Sequence, residues 1–154
     1  MAITLSGTTG IVQPAAAAPA FSAYASTAQS VTSGVDTKVV FDTETFDTNN
    51  NFASSRFTPT IAGYYQLNTL IRFNGTAPSQ YSIYFYKNGV SLGVASQLNI
   101  SAGVLIQSIS TLVYLNGSTD YIEVYAQITA TSPTFGATAN VNTNYFSGAM
   151  VRSA

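Results

Sequence analysis

The chain has 154 residues and neither histidine nor cysteine, so any acid–base or metal chemistry falls to six carboxylates: Asp36, Asp42, Glu44, Asp47, Asp120 and Glu123. Thiol catalysis, histidine-based triads, zinc or haem ligation and a disulfide framework are all excluded. The one enzyme class that carboxylates alone can run is glycoside hydrolysis, which needs an acid and a second carboxylate flanking the scissile bond. Asp42 and Glu44 are two residues apart and share a face if extended, whereas Asp120 and Glu123 differ by an odd number and point to opposite sides of a strand. Neither spacing sets an acid against a base across a cleft. The acids are expected to be solvated surface groups, and no catalytic residue is assigned. Asp42, Glu44 and Asp47 offer hard oxygen ligands of the kind calcium takes, but they lack the spacing of a dedicated ligand loop, so no metal and no cofactor is assigned. Asn74-Gly75-Thr76, Asn99-Ile100-Ser101 and Asn116-Gly117-Ser118 fit the glycosylation pattern in a chain so rich in Asn, Ser and Thr that chance explains them. Thr8-Thr9-Gly10 has no lysine and no following helix, so it is not a phosphate cradle.

Charge is scarce throughout. Charged residues make up 7 % of the chain, with five Lys plus Arg against six Asp plus Glu, for a net charge of −1. That is too little positive charge to follow a phosphate backbone, and nucleic acid is not an expected partner. No apolar stretch approaches the length needed to cross a bilayer, so no membrane partner is expected either. Met1 to Leu5 lacks the basic and apolar regions of an export signal. Disorder is not the alternative, because 10 Tyr and 9 Phe are spread along the chain among many Val and Ile. With so few charges, association with copies or partners is the expected route to a covered surface.

Residues 1–19 read as an N-terminal arm and Pro/Ala linker, and residues 20–154 as one domain. In the arm Ile3 and Leu5 alternate, Thr8-Thr9-Gly10 turns the chain, and Ile11-Val12 follow. Pro14 and Pro19 bracket the Ala15–Ala18 run and prevent a helix. An arm this short cannot bury itself, so a neighbouring chain is expected to hold it. From Ala20 onward the pattern is period two, broken by turn residues every ten to fifteen positions, as expected of an all-β sandwich or barrel. Tyr65, Leu67, Ile71 and Phe73 share one face, and Tyr64, Gln66, Asn68 and Arg72 the other. Asn74-Gly75 is expected to turn the chain before a strand carrying Tyr81, Ile83 and Phe85, and Asn88-Gly89 to form a hairpin turn. Val104 to Leu115 is the next strand. Beyond Asn116-Gly117, Ile122, Val124, Ala126 and Ile128 face a core, while Tyr121, Glu123, Tyr125 and Gln127 face away from it. A last strand from Tyr145 to Val151 is expected to be paired on both sides.

Phe41, Asp47, Phe52, Phe57, Gly63 and Tyr65 stand in an order similar to that of the complement C1q-like globular domain, a relative of the tumour necrosis factor jelly roll. Phe57-Thr58-Pro59 with Ala62-Gly63-Tyr64-Tyr65 resembles its aromatic-Thr-x-Pro…Gly-x-Tyr corner. Tyr86-Lys87-Asn88-Gly89 resembles its Lys-Asn-Gly hairpin, and Tyr145-Phe146-Ser147-Gly148 its closing Phe-Ser-Gly. The Phe52 to Phe57 interval is shorter than the family's usual one, and Leu67 and Thr69 replace common aromatics. The resemblance, spanning Ala20 to Val151, implies a two-sheet antiparallel jelly-roll sandwich that assembles as a homotrimer.

Trimerisation would account for the tyrosines on the strand faces opposite the core aliphatics. Tyr64, Leu70, Tyr121, Tyr125 and Tyr145 are therefore the expected trimer interface, although scattered exposed tyrosines do not by themselves require a partner. The stretch Ile3-Thr4-Leu5-Ser6-Gly7-Thr8-Thr9-Gly10-Ile11 resembles segments near the start of bacteriophage virion proteins. Together these similarities imply a virion structural protein, not an enzyme. The first expectation is a capsid decoration, or cement, protein on the capsid surface. Its trimers would bind the major capsid protein or another virion protein through Ile3, Leu5, Ile11 and Val12 of the arm. The second is the receptor-binding head of a phage tail fibre, recognising host surface glycans.

Overall fold

A computed structural model of the chain describes residues 4–6, 10–12, 18–101, 103–136 and 143–154. Its strands are β1 (Thr4–Ser6), β2 (Gly10–Val12), β3 (Ala20–Tyr24), β4 (Gln29–Ser30), β5 (Thr37–Lys38), β6 (Thr43–Asp47), β7 (Phe52–Ala53), β8 (Arg56–Phe57), β9 (Gly63–Lys87), β10 (Val90–Leu98), β11 (Val104–Leu115), β12 (Ile122–Phe135) and β13 (Tyr145–Ser153). No helix occurs among the described residues.

Two antiparallel sheets share the long strand β9. Its first half, residues 63–74, pairs with β11 on one side and, over residues 63–70, with β13 on the other; β3 and β6 extend that sheet beyond β13. Its second half pairs with β10 and β12, and the short strands β4, β5 and β8 line the far side of β12. The molecule is thus an all-β jelly-roll sandwich, with β13 central as its apolar pattern requires.

The core lies between the sheets, supplied by the alternate residues that period two selects. Tyr65, Leu67, Ile71 and Phe73 face it from one sheet, and Tyr81, Ile83, Phe85, Ile122, Val124, Ala126 and Ile128 from the other; all are fully buried. At its centre Phe21 stacks on Phe57 at 4.3 Å between ring centroids and meets Phe146 edge-on at 4.8 Å. Tyr65 fills the space beside Phe57, and its hydroxyl donates to the Ile61 carbonyl at 2.6 Å, which satisfies the one polar atom it brings inside. Burial pushes the Tyr65 phenol up to about 12. Thr69 is fully buried and donates its hydroxyl to the Tyr145 carbonyl at 2.7 Å.

The turns follow local chemistry with one exception. Asn88 and Gly89 both take positive φ, 54° and 79°, and join β9 to β10 as a tight hairpin. The shortened Phe52 to Phe57 interval is a second two-residue hairpin, with Phe52 paired to Phe57 across Ser54 and Ser55, whose φ values are 51° and 58°. The turn expected at Asn74-Gly75 is absent, because β9 continues through it from one sheet to the other. Gly75 serves a different need there. A Cβ on it would lie 2.6 Å from the Cβ of Ala130, so glycine lets β12 approach closely where the sheets converge. Gly63 is similar, since a Cβ would sit 2.5 Å from the Arg152 carbonyl oxygen.

In the arm, β1 and β2 pair antiparallel with Leu5 opposite Ile11, forming a two-stranded sheet separate from the sandwich. Ile3 and the Pro14 to Ala17 part of the linker lie outside the described residues.

Candidate functional site: two outer faces and a shared edge

The sandwich presents two outer faces of opposite character. On the sheet of β3, β13, β11 and the first half of β9, the register aligns outward side chains in rows. Tyr24, Tyr145, Leu70 and Ser108 form one row, Ser22, Ser147, Asn68 and Ser110 the next, and Ala20, Ala149, Gln66 and Leu112 a third. Tyr64 and Tyr114 close the end, in edge-to-face contact at 5.5 Å. Arg72 and Arg152 are the only charged side chains in these rows, and neither has an ion-pair partner among the described residues. Tyr64, Leu112, Tyr114, Ile106 and Val151 stay 42–58 % exposed. A hollow of about 590 Å³ lies between Tyr64, Leu112, Val151 and the Arg152–Ala154 end, and a trough of about 220 Å³ runs over Ser147, Gly148 and Ala149 beside exposed Phe46.

The adjoining edge is equally bare of charge. Among the described residues β10 and β11 each pair only with β9, so each sheet ends in a strand without a second partner on this side, and the two are tied by a hydrogen bond from Gln107 to Ser96. From Asn88 to Thr119, a span containing both strands, there is no Asp, Glu, Lys or Arg. Val90, Leu98, Ile100 and Val104 are 38–69 % exposed there. Proteins ordinarily protect a free strand edge with charge or proline, and this edge has neither.

The opposite outer face, on β12 and the second half of β9, holds a polar and aromatic network. Glu123, only 3 % exposed, accepts from Lys38 Nζ at 2.6 Å and from Arg56 Nε and a terminal guanidinium nitrogen at 2.9 and 2.8 Å. Desolvation opposes its ionisation, but these hydrogen bonds and charges outweigh it and hold the carboxyl below its ordinary value. Tyr86 stacks on Tyr125 at 4.1 Å and meets Tyr84 edge-on, and the Arg56 guanidinium lies 3.9 Å over the Tyr121 ring. Gln80 and Gln127 pair through their amides at 2.9 Å.

The expected interface residues therefore divide. Tyr64, Leu70 and Tyr145 come together on the charge-poor face, while Tyr121 and Tyr125 lie on the other side of the sandwich. The expectation of solvated acids also needs correction. Glu123 and Asp120 are buried, since each is covered by the cations it binds; Asp120 pairs with Lys87 at 2.8 Å and accepts from Asn88 and the Asn116 amide. Hydrogen bonding from Lys87 is the main reason the Asp120 carboxyl is held low. Asp42 is engaged by Ser26 and Thr43, and Asp47 accepts the Phe52 and Asn49 amides, so both brace loops. Among the described residues no three potential ligands gather to hold a metal. The residues that sequence reasoning passed over are Leu112, Tyr114, Val151 and the β10–β11 edge. For all but Val151 the signal was present in the charge-free run from Asn88 to Thr119.

No family model and no curated protein matches the chain. Among solved structures, the fold is similar to the globular domain of zebrafish complement 1qA protein, with a TM-score of 0.65 at 17 % identity over 88 % of this chain and 99 % of that one. It is similar also to murine APRIL at pH 5.0, with a TM-score of 0.66 at 9 % identity over 87 % and 99 %. At such identities the likeness is one of fold: this chain has the two-sheet jelly roll of C1q and tumour necrosis factor-like domains.

Proposed function

We propose that the protein is a homotrimeric virion structural protein that decorates and stabilises a viral capsid, with the sandwich as its trimerising head and the β1–β2 arm as its attachment to the major capsid protein or another virion protein. It acts by binding and not by catalysis. The observation that carries the self-association is the joining of a face whose β3, β13, β9 and β11 rows hold only Arg72 and Arg152 as charged side chains to an edge with no charged side chain. Face and edge are different surfaces, so a copy offering its edge to the face of the next makes a heterologous contact, which forms a ring when the rotation between copies closes. The C1q-like fold supports three as the number. An isolated two-stranded hairpin is marginal in water, so β1–β2 gains most by docking on another chain through its free strand edges.

The reading of a glycan-recognising tail-fibre head draws support from the tyrosine network on the other outer face, which a face-to-edge trimer leaves uncovered. Counting and locating the protein in purified particles separates the two. Many copies over the shell support decoration, and a few at the tail support the fibre head. A variant lacking residues 1–14 is expected to remain trimeric by sedimentation and to lose capsid binding. Retained binding would remove the arm from the mechanism.

A further inference from the structure

We propose that the outer face of β12 and the second half of β9 is a binding surface for neutral oligosaccharides, centred on Tyr84, Tyr86 and Tyr125. The register sets two parallel rows across this face, Tyr86–Glu123–Arg56 and Tyr84–Tyr125–Lys38, with Gln127 adjoining. The tyrosines, Gln80 and Gln127 are partly exposed. A pyranose offers apolar C–H patches ringed by hydroxyls, and the surface that matches it combines aromatic rings with fixed amide, hydroxyl and carboxylate groups.

Two features narrow the ligand. The charges on and beside this face cancel: Lys38 and Arg56 share Glu123, and Asp36 accepts the Tyr86 hydroxyl at 3.3 Å. A neutral ligand leaves those pairs intact, while an anion or cation would have to compete with them. The side chains are also held in place beforehand, Tyr86 against Tyr125, Gln127 by donating to the Gly34 carbonyl at 2.7 Å, and Arg56 between Glu123 and Tyr121, so little rotamer freedom remains to be lost on binding. The inference rests on the trimer reading only for the outward direction of this face, and three copies would add avidity to a weak single site.

The test titrates the full-length protein with maltohexaose, cellohexaose and mannohexaose, and with a sialylated oligosaccharide as the anionic arm, following backbone amide shifts by NMR while sedimentation is measured in parallel. Saturable shifts from at least one neutral hexasaccharide, clustered at residues 82–86 and 123–127, are expected. Tyr84→Thr and Tyr125→Thr should each weaken binding by about tenfold or more. The wild-type shift map stands whether or not the variants fold. No saturable shifts with any neutral sugar, shifts clustered elsewhere, or preference for the sialylated arm would overturn the proposal. Binding by a monomer would sink the trimer and leave this site standing; a trimer without binding does the reverse.

Discussion

Leu112 is the position where the self-association argument is most exposed to measurement. It projects from the edge strand β11 into the hollow beside Tyr64 and Val151 and is 57 % exposed in the single chain. Complete burial of a leucine side chain is worth about 1.5–3 kcal/mol, so covering the part still wet contributes about 1–1.7 kcal/mol per copy. Leu112→Lys forfeits that and places an ammonium near Arg152, with no Asp or Glu side chain in the surrounding rows to receive it. Desolvating such a charge costs several kcal/mol more. A loss of at least about 3 kcal/mol per contact follows, roughly a hundredfold or more in each association constant. Sedimentation velocity across a dilution series should show trimer for the wild type and monomer for Leu112→Lys. Thr129→Lys, on the opposite outer face, should stay trimeric and controls for the added charge itself. A wild-type monomer, or a Leu112→Lys trimer as stable as wild type, would refute the reasoning.

The two tyrosine groups should separate in the same assay: Tyr145→Asp is expected to dissociate the assembly, and Tyr125→Asp to leave it intact. The Glu123 carboxyl is held below its unfolded value, so its stabilisation is present above that value and is lost as pH falls through the lower, folded one. Glu123→Gln should therefore cost about 1–3 kcal/mol at neutral pH, less than a fully buried pair because Lys38 and Arg56 can rehydrate, and should flatten the acid limb of a urea-unfolding pH series. Gly75→Ala should destabilise the fold by about 1–3 kcal/mol in thermal or urea unfolding, because its Cβ would overlap Ala130. A neutral result would mean that β9 and β12 part there at little cost.

The sequence by itself determined which side of each strand turns inward. Alternation is a property of neighbouring residues, so Ile122 to Ile128 and Tyr65 to Phe73 could be sorted with no knowledge of their partners, and Asn88-Gly89 could be read as a turn because the turn is made by those two residues. The aromatic and glycine landmarks carried the jelly roll for the same reason. Only the tertiary structure decided which outward faces are continuous, because strand neighbours are chosen by long-range pairing that no local pattern records. That pairing put Tyr64 and Tyr145 on one face and Tyr125 on the other, and drew Lys38 and Arg56 over Glu123 from strands remote in the chain. It also turned Gly75 from an expected bend into a point of close passage, since the space a missing Cβ leaves has meaning only when the opposing strand is there to fill it.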